Sequence, residues 1–238
     1  MKENFINVVF VIDESGSMCG TEADVIGGFK KVIDEQRANK EGTCSVSYFK
    51  FATGVEKVFI GKDVNEVEYL DGKYDPDGLT ALFDGVGVAI DEVGKWLDSM
   101  KEEDKPEKTL VVIMTDGGEN NSKDYTAEKV REMIKHQEEK YSWEFIYMGS
   151  DLRDATDSNR LGISTRLYSS KLNYASNYDA INCAISGYRG DKGPAGEKGL
   201  SLKKRLIEVS TAATVNYANE IGIDANSLLA TDLDENNK

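Results

Sequence analysis

Five oxygen-bearing side chains stand at three separated places in this 238-residue sequence, each next to an apolar stretch. The first place is Asp13-Glu14-Ser15-Gly16-Ser17, a D-x-S-x-S string that follows the apolar residues 7–12. The second is Thr80, within Gly78-Leu79-Thr80-Ala81-Leu82-Phe83-Asp84-Gly85. The third is Asp116, at the end of Leu110-Val111-Val112-Ile113-Met114-Thr115. Carboxylates and hydroxyls are hard oxygen donors, and such a set suits a small divalent cation. Magnesium fits it best, with manganese or calcium as the other ions it admits. Any one of these strings alone is a weak signal, because short runs rich in Ser and Asp arise by chance; three of them together are not weak.

The elements that would position these residues are legible from periodicity. Residues 7–12 and 110–114 are short apolar runs rich in β-branched residues, which read as buried strands. Between them, Val25, Ile26, Phe29, Val32 and Ile33 form a helical stripe. That helix starts near Thr21, where Thr21-Glu22-Ala23-Asp24 resembles a capping box. Alternation over 44–49 and a second extended run at 55–60 predict a hairpin, hence one antiparallel edge strand. Phe83, Val86, Ala89, Ile90, Val93, Trp96 and Leu97 mark a second helix, and Val130, Met133 and Ile134 a third over 126–141. A strand at 143–148, a short helix within 149–163, a last strand at 166–168 and a closing helix carrying Tyr174, Tyr178, Ile181, Ile185 and Tyr188 complete the pattern. Alternating strands and helices predict a doubly wound α/β sheet, mostly parallel, with helices on both faces. In such a sheet the loops after the strands gather on one edge, where ligands bind. Asp13, Ser15, Ser17, Thr80 and Asp116 can therefore converge.

With those residues in place, residues 4–189 resemble the von Willebrand factor A (vWA) domain family. Its metal-ion-dependent adhesion site uses D-x-S-x-S, a threonine in a second loop and an aspartate in a third, and all five positions are matched in order. Thr115-Asp116-Gly117-Gly118-Glu119-Asn120 and Trp143-Glu144-Phe145-Ile146-Tyr147-Met148-Gly149-Ser150-Asp151 look like stand-alone bacterial and phage members. The resemblance implies that the serines and the threonine bind the metal directly and that one or both aspartates act through water. It also implies a mode of action: a Glu or Asp of a partner protein completes the metal's coordination.

The competing local reading is that Asp13 and Thr80 only cap helices. Glu14 and Glu119, beside the site, read as solvated loop acids, and Cys19 as a small semi-buried residue. His136, the single histidine, falls about ten residues into its helix, roughly 15 Å from the metal edge.

A net charge of −14 argues against binding a phosphate backbone, which needs clustered Lys and Arg. No apolar run approaches the roughly 20 residues of a membrane span. The start of the sequence reads as strand one and not as a signal peptide, since Asn7 interrupts it and Asp13 ends it. Three scattered cysteines at 19, 44 and 183 favour reduced thiols and a cytoplasmic setting. Residues 1–189 read as one domain. Glycine at every third position over 190–199 makes too few triplets for a triple helix, so 190–200 reads as a linker. Residues 201–238 then read as a helix, with Leu202, Leu206, Val209 and Ala213, and a polar tail.

The leading functional reading is a non-catalytic, metal-dependent protein-interaction module. A magnesium-dependent phosphoryl-transfer or hydrolytic enzyme is the alternative. Haloacid-dehalogenase-like phosphatases place a second acid two residues after the first, where this chain has Ser15, and no well-placed lysine accompanies the third loop. A structural or virion-assembly protein that oligomerises through its last helix is a third reading, and the sequence leaves oligomeric state open.

Overall fold

The computed structural model describes residues 1–149, 155–168, 174–190, 201–222 and 224. Six strands form one sheet: β1 (Lys2–Asp13), β2 (Thr43–Phe51), β3 (Val55–Asp63), β4 (Pro106–Met114), β5 (Glu144–Gly149) and β6 (Arg166–Tyr168). Their order across the sheet is β3-β2-β1-β4-β5-β6. All neighbours are parallel except β2 and β3, the expected hairpin. The helices are α1 (Glu22–Ala38), α2 (Leu82–Asp98), α3 (Ala127–Tyr141), α4 (Ala155–Leu161), α5 (Ala175–Gly190) and α6 (Leu202–Ile221).

Strand β1 is buried from Phe5 to Asp13, and successive side chains point to opposite faces. Ile6, Val8, Phe10 and Ile12 therefore pack in one layer with Phe29 and Val32 of α1, Ile181 and Ile185 of α5, and Leu202 and Leu206 of α6. Val9 and Val11 pack in the other layer with Val86 and Ile90 of α2 and Val130 and Ile134 of α3. A strand covered on both faces must be apolar at every position, which is why β1 and β4 read as unbroken runs. Asn7 is the exception. It is fully buried, and its Oδ1 accepts from the hydroxyls of Ser45 and Ser47 on β2, at 3.1 and 3.2 Å. The Ser47 Oγ in turn accepts from Gly61 N–H of β3 at 3.0 Å.

Two local expectations are corrected. Thr21 precedes α1 but makes no capping bond; its hydroxyl donates to the Met18 carbonyl instead, at 2.7 Å. The donor has been taken by the 310 turn Gly16–Met18, so the capping box does not form. Thr80 does not cap α2, whose N-cap position is Ala81. Of the expected linker at 190–200, Gly190 ends α5 and the remainder lies outside the described residues, as does the polar tail. α6 buries Leu202, Leu206, Tyr217 and Ala218, and Ser210 Oγ meets the backbone of Arg166 on β6.

Candidate metal centre

The order of the sheet reverses between β1 and β4: the crossover from β1 leads out to β2 on one side, and β4 leads on to β5 on the other. The crevice above such a switch point is the usual ligand position in open α/β sheets. The loops after β1 and β4, with the segment before α2, meet there.

Asp13 closes β1 and is 0% exposed. Its Oδ1 accepts Ser15 N–H at 2.7 Å, which folds the loop back on itself. Its Oδ2 accepts the Thr115 hydroxyl at 2.6 Å, and Tyr74 donates to its carbonyl at 2.6 Å. Burial raises the Asp13 carboxyl to about 6; the Thr115 and Ser15 hydrogen bonds pull it down, and the nearby charge of Asp116 pushes it up. Ser15, also buried, lies between two hydroxyls. Ser17 Oγ is 3.0 Å away, and Thr80 Oγ1 donates to it at 3.0 Å.

Two of these hydroxyls, those of Ser17 and Thr80, face Gly117, the residue after Asp116. A Cβ built there would come 2.6 Å from Ser17 Oγ and 3.3 Å from Thr80 Oγ1. Only a residue without a side chain leaves this space free. The structure thus brings Asp13, Ser15, Ser17 and Thr80 together, and Asp116 follows directly on the residue that holds Asp13.

Thr80 is held by backbone geometry. Its N–H donates to Asn120 Oδ1 at 2.9 Å, and its carbonyl accepts from Asn120 N–H and Asn121 N–H at 3.0 and 3.2 Å. Two residues earlier, Gly78 sits at φ +84° with Thr53 Oγ1 2.5 Å from where a Cβ would be. That left-handed turn needs glycine, and the Gly78 carbonyl receives Gly16 N–H at 3.1 Å. Leu79, between the two, is 49% exposed.

The acids read as solvated are structural. Glu119 accepts from Phe83 N–H at 3.0 Å, from Asn121 and Ser122 N–H at 2.8 and 2.7 Å, and from the Ser122 hydroxyl at 2.6 Å. It caps α2 from the loop after β4. Asp84 accepts from Lys123, Asp124 and Tyr125 N–H at 2.8–3.0 Å, tying the same loop back to the helix. Asp157 of α4 accepts Glu119 N–H at 2.9 Å. Glu14 pairs with Lys50 at 2.9 Å and accepts Asp75 N–H at 2.9 Å. Asp13, Ser15, Ser17, Thr80 and Asp116 are legible along the chain; the supporting roles of Thr115, Asn120 and Asp157 are not, because their partners lie 38 to 102 residues away. Cys19 is exposed, with Sγ 3.5 Å from the Pro76 carbonyl. His136 is exposed on α3, in a cleft shared with Met1 and Pro106 at the opposite strand ends.

This donor set fits a divalent ion. Three clustered hydroxyls need a common cation more than they need one another, and the two aspartates supply negative charge from the side that Thr115 organises. Asp13, Ser15, Ser17, Thr80 and Asp116 would hold it, and bound there it would supply Lewis acidity for an anionic oxygen. Among the described residues no group of three or more His, Cys, Asp or Glu is placed to hold a metal ion, and this site brings only two carboxylates beside its hydroxyls.

The sequence matches no family model and no curated protein. Its likeness to solved structures is in the fold. Proximal thread matrix protein 1 from the mussel byssus aligns at TM-score 0.54 and 18% identity, over 79% of this chain and 47% of that one. The same protein "with zinc occupied MIDAS motif" aligns at 0.50 and 18%, over 79% and 46%. The PilB minor pilin from Streptococcus sanguinis gives 0.53 and 16%, over 79% and 63%. This chain therefore spans about half of the mussel protein and under two thirds of the pilin. BatB from Bacteroides thetaiotaomicron gives 0.50 and 13%, over 77% of this chain and 98% of that one. In strand order, crossovers and matched structures, the chain has the fold of a von Willebrand factor A domain.

Proposed function

We propose that this chain is a metal-dependent protein-interaction module without catalytic activity. The observation that carries the reading is the clustering of the Ser15, Ser17 and Thr80 hydroxyls, with the bare backbone of Gly117 against Ser17 and Thr80. Three neutral ligands and two carboxylates, both on short leashes, leave a divalent ion short of negative charge. A Glu or Asp from a partner protein meets that demand better than water does. The zinc-occupied MIDAS motif of the mussel protein supports the choice of a divalent ion on this fold. Magnesium is the ion proposed here, since its octahedral, oxygen-only preference matches hydroxyl and carboxylate donors. All three cysteines are unpaired and two are exposed, which suits a reducing, cytoplasmic setting. No helix among the described residues is long and apolar enough to cross a membrane.

Calorimetry with Mg²⁺, Mn²⁺ and Ca²⁺ tests the site. One ion should bind, and Asp13→Ala together with Asp116→Ala should abolish it; unchanged affinity in the double variant refutes the assignment. Thr80→Ala tests the partner step. It removes a ligand without touching the α2 cap, so a partner recovered in magnesium should be lost in EDTA and with Thr80→Ala, at a nearly unchanged melting temperature. A partner retained under both conditions would bind some other surface.

A further inference from the structure

Two of the loops that carry the proposed ligands meet α4, a short helix that supplies no ligand itself. Asp157 of α4 is 6% exposed. Its Oδ2 accepts Glu119 N–H at 2.9 Å, and its Oδ1 accepts from Arg160 at 3.0 Å. The Arg160 guanidinium in turn lies 4.6 Å from the centre of the Phe83 ring. Glu119 stands three residues after Asp116, and Phe83 three residues after Thr80. One ion pair on α4 thus grips both loops, the acid by a charge-assisted hydrogen bond and the base by a cation over a ring.

α4 is braced against the body of the fold. Leu161 is fully buried and packs with Ile163 in the layer of α2 and α3. Arg166 of β6, itself buried, donates from Nε to the Ile163 carbonyl at 2.9 Å and bonds Asn159 of α4. From Glu119 the bonds run on towards the site. Its carboxylate accepts Phe83 N–H at 3.0 Å. Its neighbour Asn120 accepts Thr80 N–H at 2.9 Å and donates its own N–H to the Thr80 carbonyl at 3.0 Å. Asp157 is therefore connected to Thr80 through hydrogen bonds, none of which involves a ligand oxygen.

We propose that Asp157 is a positioning residue that gives the metal centre its preference for magnesium over calcium. The inference rests on the metal-binding reading above. Magnesium demands near-ideal octahedral geometry at about 2.0–2.1 Å, whereas calcium accepts irregular shells at about 2.3–2.6 Å. A site whose ligands come from separate loops enforces the smaller ion only if those loops cannot drift apart. The Glu119 and Asn120 bonds tie the loops to each other, and Asp157 with Arg160 ties both to the packed body of the fold.

Calorimetry on the full chain with Mg²⁺ and with Ca²⁺ tests this. Asp157→Ala should lower magnesium affinity about ten-fold, the scale of a lost partner behind a metal ligand. Calcium affinity should stay within about three-fold, because the larger ion tolerates the looser cradle. Asp157→Asn keeps an oxygen for Glu119 N–H and should bring the ratio of the two affinities back to within about three-fold of the parent. Arg160→Met changes a side chain that is 47% exposed, so it decides the question should Asp157→Ala not fold. It should lower magnesium affinity about three-fold and leave calcium unchanged. Equal losses for the two ions, no rescue by Asp157→Asn, or magnesium affinity unchanged in Asp157→Ala or Arg160→Met overturns the proposal. Magnesium binding that is abolished by Asp13→Ala with Asp116→Ala, yet unchanged in Asp157→Ala, keeps the metal site and overturns this inference alone. A parent chain that binds neither ion overturns both.

Discussion

The Thr115 hydroxyl donates to Asp13 Oδ2 at 2.6 Å, so the last residue before Asp116 holds the carboxylate that ends β1. Two strands that neighbour each other in the sheet are thereby locked at the edge where the ion is proposed to bind. The same hydroxyl accepts Gly117 N–H at 3.1 Å, which places the bare backbone over the serines. Thr115→Val keeps the shape and removes both bonds. It should cost about 1–3 kcal/mol, because a buried carboxylate loses a donor. Magnesium affinity should fall with it. Urea melts and calorimetry on the same preparation check both, and an unchanged metal affinity would show that Asp13 is positioned by Ser15 alone.

Gly117→Ala separates the fold from the site. The new methyl would meet Ser17 Oγ at 2.6 Å, and the exposed Ser17 side chain can rotate away. Rotation spares the packing and withdraws a ligand. A melting temperature within a few degrees of the parent is expected, with metal affinity reduced about ten-fold or more, the scale of a lost oxygen contact to a charge. Calorimetry showing parental affinity would place the ion elsewhere.

Glu144 gives a pH test away from the metal. Burial raises its carboxyl from 4.5 to about 7, with Lys203 and Lys108 partly offsetting and Glu138 adding to the rise. Between those values the folded chain holds a proton that the unfolded chain has released, so stability falls as pH rises through this window and the penalty is complete above it. Glu144 is half-buried, and after a discount for solvent screening the penalty is about 1–2 kcal/mol. Glu144→Gln should melt higher than the parent at about pH 8, with the gain vanishing by about pH 4.5. A gain independent of pH would assign the effect to packing.

A chain ending at residue 189 tests the proposed domain boundary. The layer formed by β1, β2, β4, α1 and α5 is continuous without α6, so a cooperative melt should persist. It should move down, since Leu202 and Leu206 each contribute about 1.5–3 kcal/mol of burial, and Lys203 no longer faces Glu144. Loss of cooperativity in circular dichroism would make α6 part of the domain.

The division between what could and could not be read along the chain has a physical cause. β1, β4 and the stripes of α1, α2 and α3 announce themselves because burial on a fixed period repeats within a few residues. Asp13, Ser15 and Ser17 are close in sequence, and Thr80 and Asp116 stand at the ends of readable elements. Glu119 looks like a solvated loop acid in sequence; only the fold shows that it gathers the Phe83 N–H of α2 as well as donors of its own loop, and that Asp84 takes three N–H groups from that loop in return. Thr21 fits a capping box on paper, and a 310 turn reaching its hydroxyl first undid that reading.

The Asn7 amide has a consequence for how the sheet finds its alignment. Val8, Val9, Val11 and Val46 are similar enough in size that β1 could pair with β2 two residues out of step and still bury apolar surface on both faces. Such a slip would set Asn7 opposite Thr43 or Ser47 in place of Ser45 and break the pair of bonds by which its Oδ1 holds both serines, a loss that hydrophobic packing does not offset. One polar residue in the middle of an apolar strand thus removes the mispaired sheets from competition. On the other side of β1, Ile12 pairs with Met114, so Asp13 and Thr115 leave the sheet side by side at the edge of the metal centre.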